Sequence, residues 1–266
     1  MNLKTLMRGL LLISVFIFLF HFHSYGQITT YQPGEKVDYI IHYGFITGGR
    51  ANLELKIDTS SGKELWHSVM TGRTTGIADV LFKVLDIYES YMNPETELPV
   101  RAIRNISEGN YKRYNVVKFD HATRKDSAIL TSDMTGVHIT PQGIHDILSC
   151  FYWFRNRIMP NIDTIKKGDL ITIMTWFTDE LYPVKMRYIG PDEVRTRAGR
   201  INCHLFNPVT EIGRLFKSEE DVSLWFSADK NFLPVKIRFD IFVGAFICDL
   251  VNYEGLAHPL DIKERD

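Results

Sequence analysis

A proline followed by alternating apolar and basic residues occurs three times in this chain. The three copies span Pro99–Arg104, Pro183–Arg187 and Pro234–Arg238. Proline has no amide proton, so within a sheet it is confined to the first residue of a strand, an edge or a bulge. The alternation after it gives one apolar and one polar face, as a half-buried strand requires. The pattern therefore predicts antiparallel hairpins in which each proline begins a strand.

Alternation of this kind extends over most of the chain, and two stretches depart from it. Residues 74–84 have helical spacing and predict a short helix, and residues 144–158 predict the main helix, which Pro160 ends. The apolar stripe of the main helix comprises Ile144, Ile147, Leu148, Phe151, Phe154 and Ile158. Many short strands and one main helix predict a mainly β fold. We expect a single curved antiparallel sheet or open β-barrel, with the helix covering its concave face.

The first 26 residues have the pattern of a secretory signal peptide. Lys4 and Arg8 precede the apolar stretch Gly9–Phe22, and Ser24 to Gly26 supply small residues before a cut at Gln27. The apolar stretch is short for a membrane span, which needs about 20 residues. We therefore expect an exported protein, periplasmic or secreted from a Gram-negative bacterium, with no membrane span after the signal is removed.

The remaining residues, 27–266, carry no long linker or composition break, which predicts a single β-rich domain. The formal net charge of the whole chain is −1, so nothing favours a nucleic-acid partner. The three cysteines are Cys150, Cys203 and Cys248. Their number favours buried thiols over a disulfide framework, although one pair could form a disulfide after export.

Several sequence segments together resemble those of a known family. They are Gly34–Tyr39, the helix segment Asp146–Arg155, and Leu224–Asp229 leading into Leu233–Val235. In these segments the chain resembles the exported bacterial proteins of domain-of-unknown-function family 3108. The resemblance implies a β-rich fold and export, and it carries no catalytic residue. A second, fold-level likeness is to periplasmic lipoprotein carriers of the LolA/LolB type, which use an unclosed β-barrel lined by helices.

Four aromatic or basic residues are candidates for ligand binding. Tyr152, Trp153 and Arg155 share the main helix, and Trp225 precedes the third proline copy. Aromatic rings can stack on a sugar or an acyl chain, but ordinary core packing also explains them. The basic pairs of the three copies fit either a rim for an anionic ligand or a solvated strand face.

His145 and Asp146 are the candidates for acid–base chemistry, although helix capping alone also explains the aspartate. Glu35 and Asp229 are interpreted in two ways, as a carboxylate pair or as a strand-start charge and a turn former. The histidines have no spacing typical of a zinc site, so no metal or cofactor is expected. No nucleophile elbow, metalloprotease motif or phosphate-binding loop occurs.

Three hypotheses about function remain. Export, a 12% aromatic content and the missing catalytic motifs favour a non-enzymatic binding or carrier module for a lipid, glycolipid or envelope polymer. The alternatives are an envelope hydrolase with dispersed carboxylates and histidines, and a scaffold or assembly partner. The sequence determines neither the ligand nor the oligomeric state.

Overall fold

The computed structural model describes residues 30–209, 221–241 and 243–263. The predicted signal peptide lies outside these residues. The described part forms one antiparallel sheet of fifteen strands. Strands β1 to β8 are neighbours in chain order, β14 pairs with the free side of β1, and the sheet then runs back from β14 to β9, with β15 added on β11. The predicted class, an unclosed, mainly β fold, is confirmed.

The strands have these bounds: β1 Lys36–Tyr43, β2 Ile46–Asp58, β3 Leu65–Thr74, β4 Leu85–Met92, β5 Pro99–Glu108, β6 Tyr111–Asp120, β7 Ser127–Ser132, β8 Gly136–Pro141, β9 Leu170–Phe177, β10 Glu180–Arg195, β11 Arg200–Pro208, β12 Val222–Ser227, β13 Pro234–Asp240, β14 Ala245–Glu254 and β15 Ile262–Lys263. The helices are the short α1, Ile77–Leu81, and the main α2, Ile147–Trp153. A π-helical turn, Phe154–Ile158, and a 3-10 helix, Met159–Thr164, continue α2. Among the described residues, no helix combines the length and apolar character needed to cross a membrane.

Because neighbouring strands are antiparallel, successive turns fall at opposite ends of the sheet. The β1–β2, β5–β6 and β13–β14 turns lie at the same end as α1, which we call the α1 end. The segment before β1 and the β4–β5 and β12–β13 turns lie at the other end, which we call the Arg155 end. The two ends differ in chemistry, as described below.

The two outer strands, β8 and β9, do not pair with each other, and a seam separates them. The chain crosses it at His145, whose amide donates to the Met174 carbonyl at 3.2 Å and whose carbonyl accepts from the Trp176 amide at 2.7 Å. Asp179 also spans the seam, because its carboxylate accepts from Ser132 at 2.7 Å and Arg113 at 3.0 Å. Side chains and one parallel bridge thus hold together two edges that the strands leave open.

The prediction that each proline begins a strand is correct for two of the three copies. Pro99 and Pro234 are the first residues of β5 and β13, but Pro183 is the fourth residue of β10. At Pro183 the strand pairs with β9, and its described pairing with β11 begins only at Met186. The missing amide proton is therefore tolerated, because that part of β10 has one described neighbour.

Strand β10 also joins two segments that the sequence predicts as separate strands, residues 182–189 and 193–197. A bulge between Tyr188 and Gly190 carries the strand through the Gly190–Pro191 pair. Gly190 has a φ of 132°, which disfavours any other residue. The bulge keeps one long strand where local sequence indicates a break.

The main helix begins three residues later than predicted, and its α-helical part ends at Trp153. The π-turn continues it to the predicted end at Ile158, and the 3-10 helix continues past Pro160 to Thr164. Asp146 is its N-cap: one carboxylate oxygen accepts from the amides of Leu148 and Ser149, and the Ser149 hydroxyl accepts from the Asp146 amide. Residues before this cap are extended, because His145 pairs with β9. Pro160 lies near the start of the 3-10 helix, where its missing amide costs no bond. The predicted short helix is confirmed as α1.

Candidate functional site

An apolar cavity of about 290 Å³ lies between α2 and the concave face of the sheet. Strands β1 to β3 form one wall, for example with Tyr39, Leu53 and Met70, and strands β9, β10 and β12 to β14 form the other. Among the described residues that line it, Asn52 is the one amide or charged side chain. The Tyr39 hydroxyl is occupied, since it donates to the Pro234 carbonyl at 2.8 Å. The cavity therefore offers an incoming molecule almost only apolar contacts.

Helix α2 and the π-turn supply one side of this cavity. Ile147, Leu148, Phe151 and Phe154, four members of the predicted apolar stripe, line it together with Cys150. Other residues of the same helix pack away from the cavity into the sheet. The helix is thus buried on several sides. It lies between two halves of the curved sheet, because the sheet encloses a space that its own side chains are too small to fill. The predicted position against the concave face is confirmed, and the helix is embedded there as well as covering it.

A buried ion pair lies behind the helix at the Arg155 end. The Arg155 guanidinium, with 0% of its surface exposed, donates to both Glu35 carboxylate oxygens at 2.5 and 2.9 Å. It also donates to the carbonyls of Asn231 and Thr30. Burial alone lowers the pKa of Arg155, but the facing Glu35 carboxylate outweighs this and the pKa is raised. Glu35 is therefore neither a solvated strand-start charge nor part of a carboxylate pair with Asp229.

A second buried carboxylate, Glu97, extends this network. It accepts from the Tyr31 hydroxyl at 2.8 Å, the Asn156 amide at 3.0 Å and the Arg157 guanidinium at 2.5 Å. Glu97 has a φ of 60°, a strained conformation for a residue with a side chain. Burial, and then the neighbouring Glu97 charge, raise the pKa of Tyr31. These contacts fasten the segment before β1 and the β4–β5 turn onto the π-turn, and they close the Arg155 end.

None of the four predicted binding residues is among those lining the cavity. Tyr152 is fully buried against Tyr31, with ring centroids 4.7 Å apart, and Arg155 forms the ion pair. Trp153 packs beside the His145 ring at 5.6 Å. Trp225 is 9% exposed and donates its indole proton to Asp192 at 2.7 Å. The structure thus places these side chains in packing and hydrogen-bond roles.

His145 and Asp146 are adjacent and buried at the seam. Burial lowers the pKa of His145 to about 3, so its ring is neutral at pH 7 and contacts the Ser149 hydroxyl at 3.2 Å. Burial raises the pKa of Asp146, while bonds from Ser90 at 2.5 Å and from the helix amides oppose this rise. Each group is held by contacts that build the helix start.

The other candidate groups are dispersed among the described residues. No three His, Cys, Asp or Glu side chains in the described ranges lie together in a way that could hold a metal ion. Asp229 is a turn former, accepting from Ser227 and from the Asn231 amide. Of the basic pairs, Arg101 lies 3.9 Å from the Tyr91 ring and Arg104 lies 4.8 Å from the Phe177 ring. Stacking on aromatic rings accounts for the position of these two arginines.

All three cysteines are free and buried, as the sequence favours. Burial raises the pKa of each thiol to about 12. Cys150 and Cys248 line the cavity, whereas Cys203 belongs to the packed core.

We expect the small reagent methyl methanethiosulfonate to label Cys150 and Cys248 before Cys203, because the cavity gives it access to them. The thiolate is the reacting form, so labelling should speed up about tenfold per pH unit between pH 7 and 9. Peptide mapping after timed quenching measures both trends. Equal rates at the three cysteines would contradict the assignment of the cavity wall.

Taken together, these observations define a class: an unclosed antiparallel barrel, sealed by a buried ion network at one end, that surrounds an apolar cavity. The chain belongs to the family described as protein of unknown function (DUF3108), which matches residues 38–251. The resemblance noted from the sequence is thereby confirmed. A comparison with curated proteins finds no match.

The fold is similar to a solved structure, the crystal structure of a beta-barrel-like protein of domain of unknown function DUF1849 from Brucella abortus. The TM-score is 0.56 at 8% sequence identity, over 88% of this chain and 100% of that one. At this identity the likeness concerns the fold alone. It agrees with the fold-level likeness to unclosed-barrel carriers.

Proposed function

We propose that this protein is an exported binding or carrier module of the cell envelope that holds an acyl chain of a lipid or glycolipid. The observation that carries the proposal is the cavity of about 290 Å³ with its almost wholly apolar lining. Burial of apolar surface contributes roughly 25 cal/mol per Å². A hydrocarbon chain has no hydrogen-bonding groups, so it loses no hydrogen bond when it enters this apolar lining. The predicted signal peptide supports export.

The size of the cavity limits the kind of ligand that it can hold. It is at the small end of the roughly 300–1,000 Å³ range of small-molecule sites, which favours one chain over a bulky ring system or a folded polymer. A headgroup would remain outside the cavity, because no charged side chain among the described residues lines it. The Arg155 end is closed, so we expect the chain to enter from elsewhere.

Binding of palmitate to the processed protein tests the proposal. We expect native mass spectrometry to detect one bound palmitate, and Ala51→Trp, which fills the cavity, to weaken binding by at least about tenfold. Lys118→Trp places the same ring on an exposed position of β6 and should bind as the wild type does. Ile237→Phe is a second, milder filling variant, with circular dichroism as the check on folding. The proposal would be overturned if folded wild type bound no palmitate, or if a folded filling variant bound palmitate as tightly as wild type does.

A further inference from the structure

The α1 end carries a cluster of exposed apolar side chains. We define the apolar tip as Phe45, Ile46, Ile77, Val80, Leu81 and Phe82. Phe45 is 93% exposed and Val80 is 86% exposed. Helix α1 lies beside the β1–β2 turn, because a Cβ placed on Gly48 would be 3.4 Å from that of Ala78. Single exposed apolar residues are ordinary, but a cluster of six on adjoining elements indicates an interaction surface.

The opposite end lacks a comparable cluster in the part of the chain that the structure describes. Its turns carry polar and charged residues, as in residues 59–64, 93–97 and 121–126. Large apolar side chains are also exposed elsewhere in the described residues, as at Ile57 and Ile139, but the most exposed ones concentrate at the α1 end. This asymmetry points to a particular partner at the α1 end.

The apolar tip adjoins the mouth of the cavity. A second hollow is lined by Ile41, Gly49, Gly72 and Phe246, each two residues beyond a cavity residue on the same strand. Side chains two residues apart share a face of a strand, so this hollow continues the cavity towards the α1 end. Ala78 of α1 also lines the hollow, which places the helix over its opening.

Exposed charges beside the tip are basic. Arg50 and Arg73 are directly opposite each other on β2 and β3, and neither forms a salt bridge to another described residue. Lys83 follows α1 and is also exposed. The nearby acids are partly buried and engaged: Asp79 accepts from Thr74 at 2.9 Å, Asp86 accepts from the Ser107 amide at 3.0 Å, and Glu108 contacts Asp86. Like charges facing each other across a strand pair are unfavourable unless an anion neutralises them.

We propose that the α1 end docks onto a bilayer surface that contains anionic phospholipid. The apolar tip enters between the headgroups, and Arg50, Arg73 and Lys83 face lipid phosphates. This is the pattern of peripheral membrane binding, in which apolar insertion and basic attraction act together. Docking would place the mouth of the cavity against the bilayer, a consequence that rests on the proposed acyl-chain function.

Vesicle sedimentation tests the docking directly. The processed protein is mixed with vesicles of phosphatidylethanolamine and phosphatidylglycerol, or of phosphatidylcholine alone. We expect wild type to prefer the anionic vesicles, and Phe45→Ser with Val80→Ser to lose at least about tenfold in binding to them. Arg50→Gln with Arg73→Gln should lose the preference for anionic vesicles and the sensitivity to salt.

The matched control is Ile57→Ser, which removes an exposed apolar side chain at the Arg155 end and should bind as wild type does. No sedimentation of wild type, an equal loss in the control, or self-association through the tip in analytical ultracentrifugation would overturn the proposal. Palmitate binding measured without vesicles distinguishes acyl-chain binding from membrane docking. If the protein binds palmitate but does not bind vesicles, the proposed function stands and this inference does not.

Discussion

Replacing Arg155 by methionine is expected to lower the free energy of unfolding by about 3–5 kcal/mol, because it leaves the Glu35 carboxylate buried without a partner. The pair is almost fully buried, with 0% and 1% of the two side chains exposed. Asn231 and Thr30 would also lose the donor to their carbonyls. Urea unfolding of wild type and variant under the same conditions measures the difference.

Two comparisons make this result specific to the buried pair. Lys36→Met removes an exposed pair with Glu254, 3.8 Å apart, and should change stability by less than about 1 kcal/mol. Adding Glu35→Gln to Arg155→Met should recover part of the loss, because the uncompensated charge is then gone. A loss for Arg155→Met no larger than that for Lys36→Met would show that the network does not close this end of the barrel.

Acidification is expected to destabilise the protein through His145, and His145→Asn should remove that contribution. The unfolded ring takes up a proton near pH 6.5, whereas the buried ring does so only at about pH 3. Between these values the unfolded state binds more protons, so stability rises with pH and is lost as pH falls. The difference corresponds to roughly 4–5 kcal/mol over the whole window.

Asp146 acts with the opposite sign and must be separated from His145. Burial raises its pKa, so it contributes stability at low pH that is lost as pH rises through its folded pKa. The difference in unfolding free energy between wild type and His145→Asn, followed from pH 7 to pH 3, isolates the histidine because Asp146 is common to both. Parallel curves for the two proteins would show that His145 is solvated in the folded state.

The strands were predictable because their signal is local. Alternation at period two identifies a half-buried strand from its own residues, and the stripe from Ile147 to Phe154 identifies the helix side that faces the cavity. That stripe was the available signal for the site, yet core packing explains it equally well from sequence. The binding prediction instead rested on Tyr152, Trp153, Arg155 and Trp225, and none of these side chains lines the cavity.

Pairing over long separations was not predictable in the same way. Glu35 and Arg155 are 120 positions apart, and the sequence around neither residue indicates that the other is its partner. The same holds for Asp179, whose bonds to Ser132 and Arg113 across the seam depend on how far the sheet curves. Strand β8 and the continuation of β10 through Gly190 likewise depend on neighbouring strands that supply hydrogen bonds.

The sequence by itself determined an antiparallel, mainly β chain with one main helix over its concave face, because side-chain alternation and helix capping act over a few residues. The tertiary structure alone decided that an ion pair closes one end, that the helix is embedded in the sheet, and that an apolar cavity remains inside. These properties arise from the curvature of many strands together and from which distant side chains it brings within contact distance. The cavity is the volume that the embedded helix leaves unfilled, and that volume is a property of the whole assembly of elements.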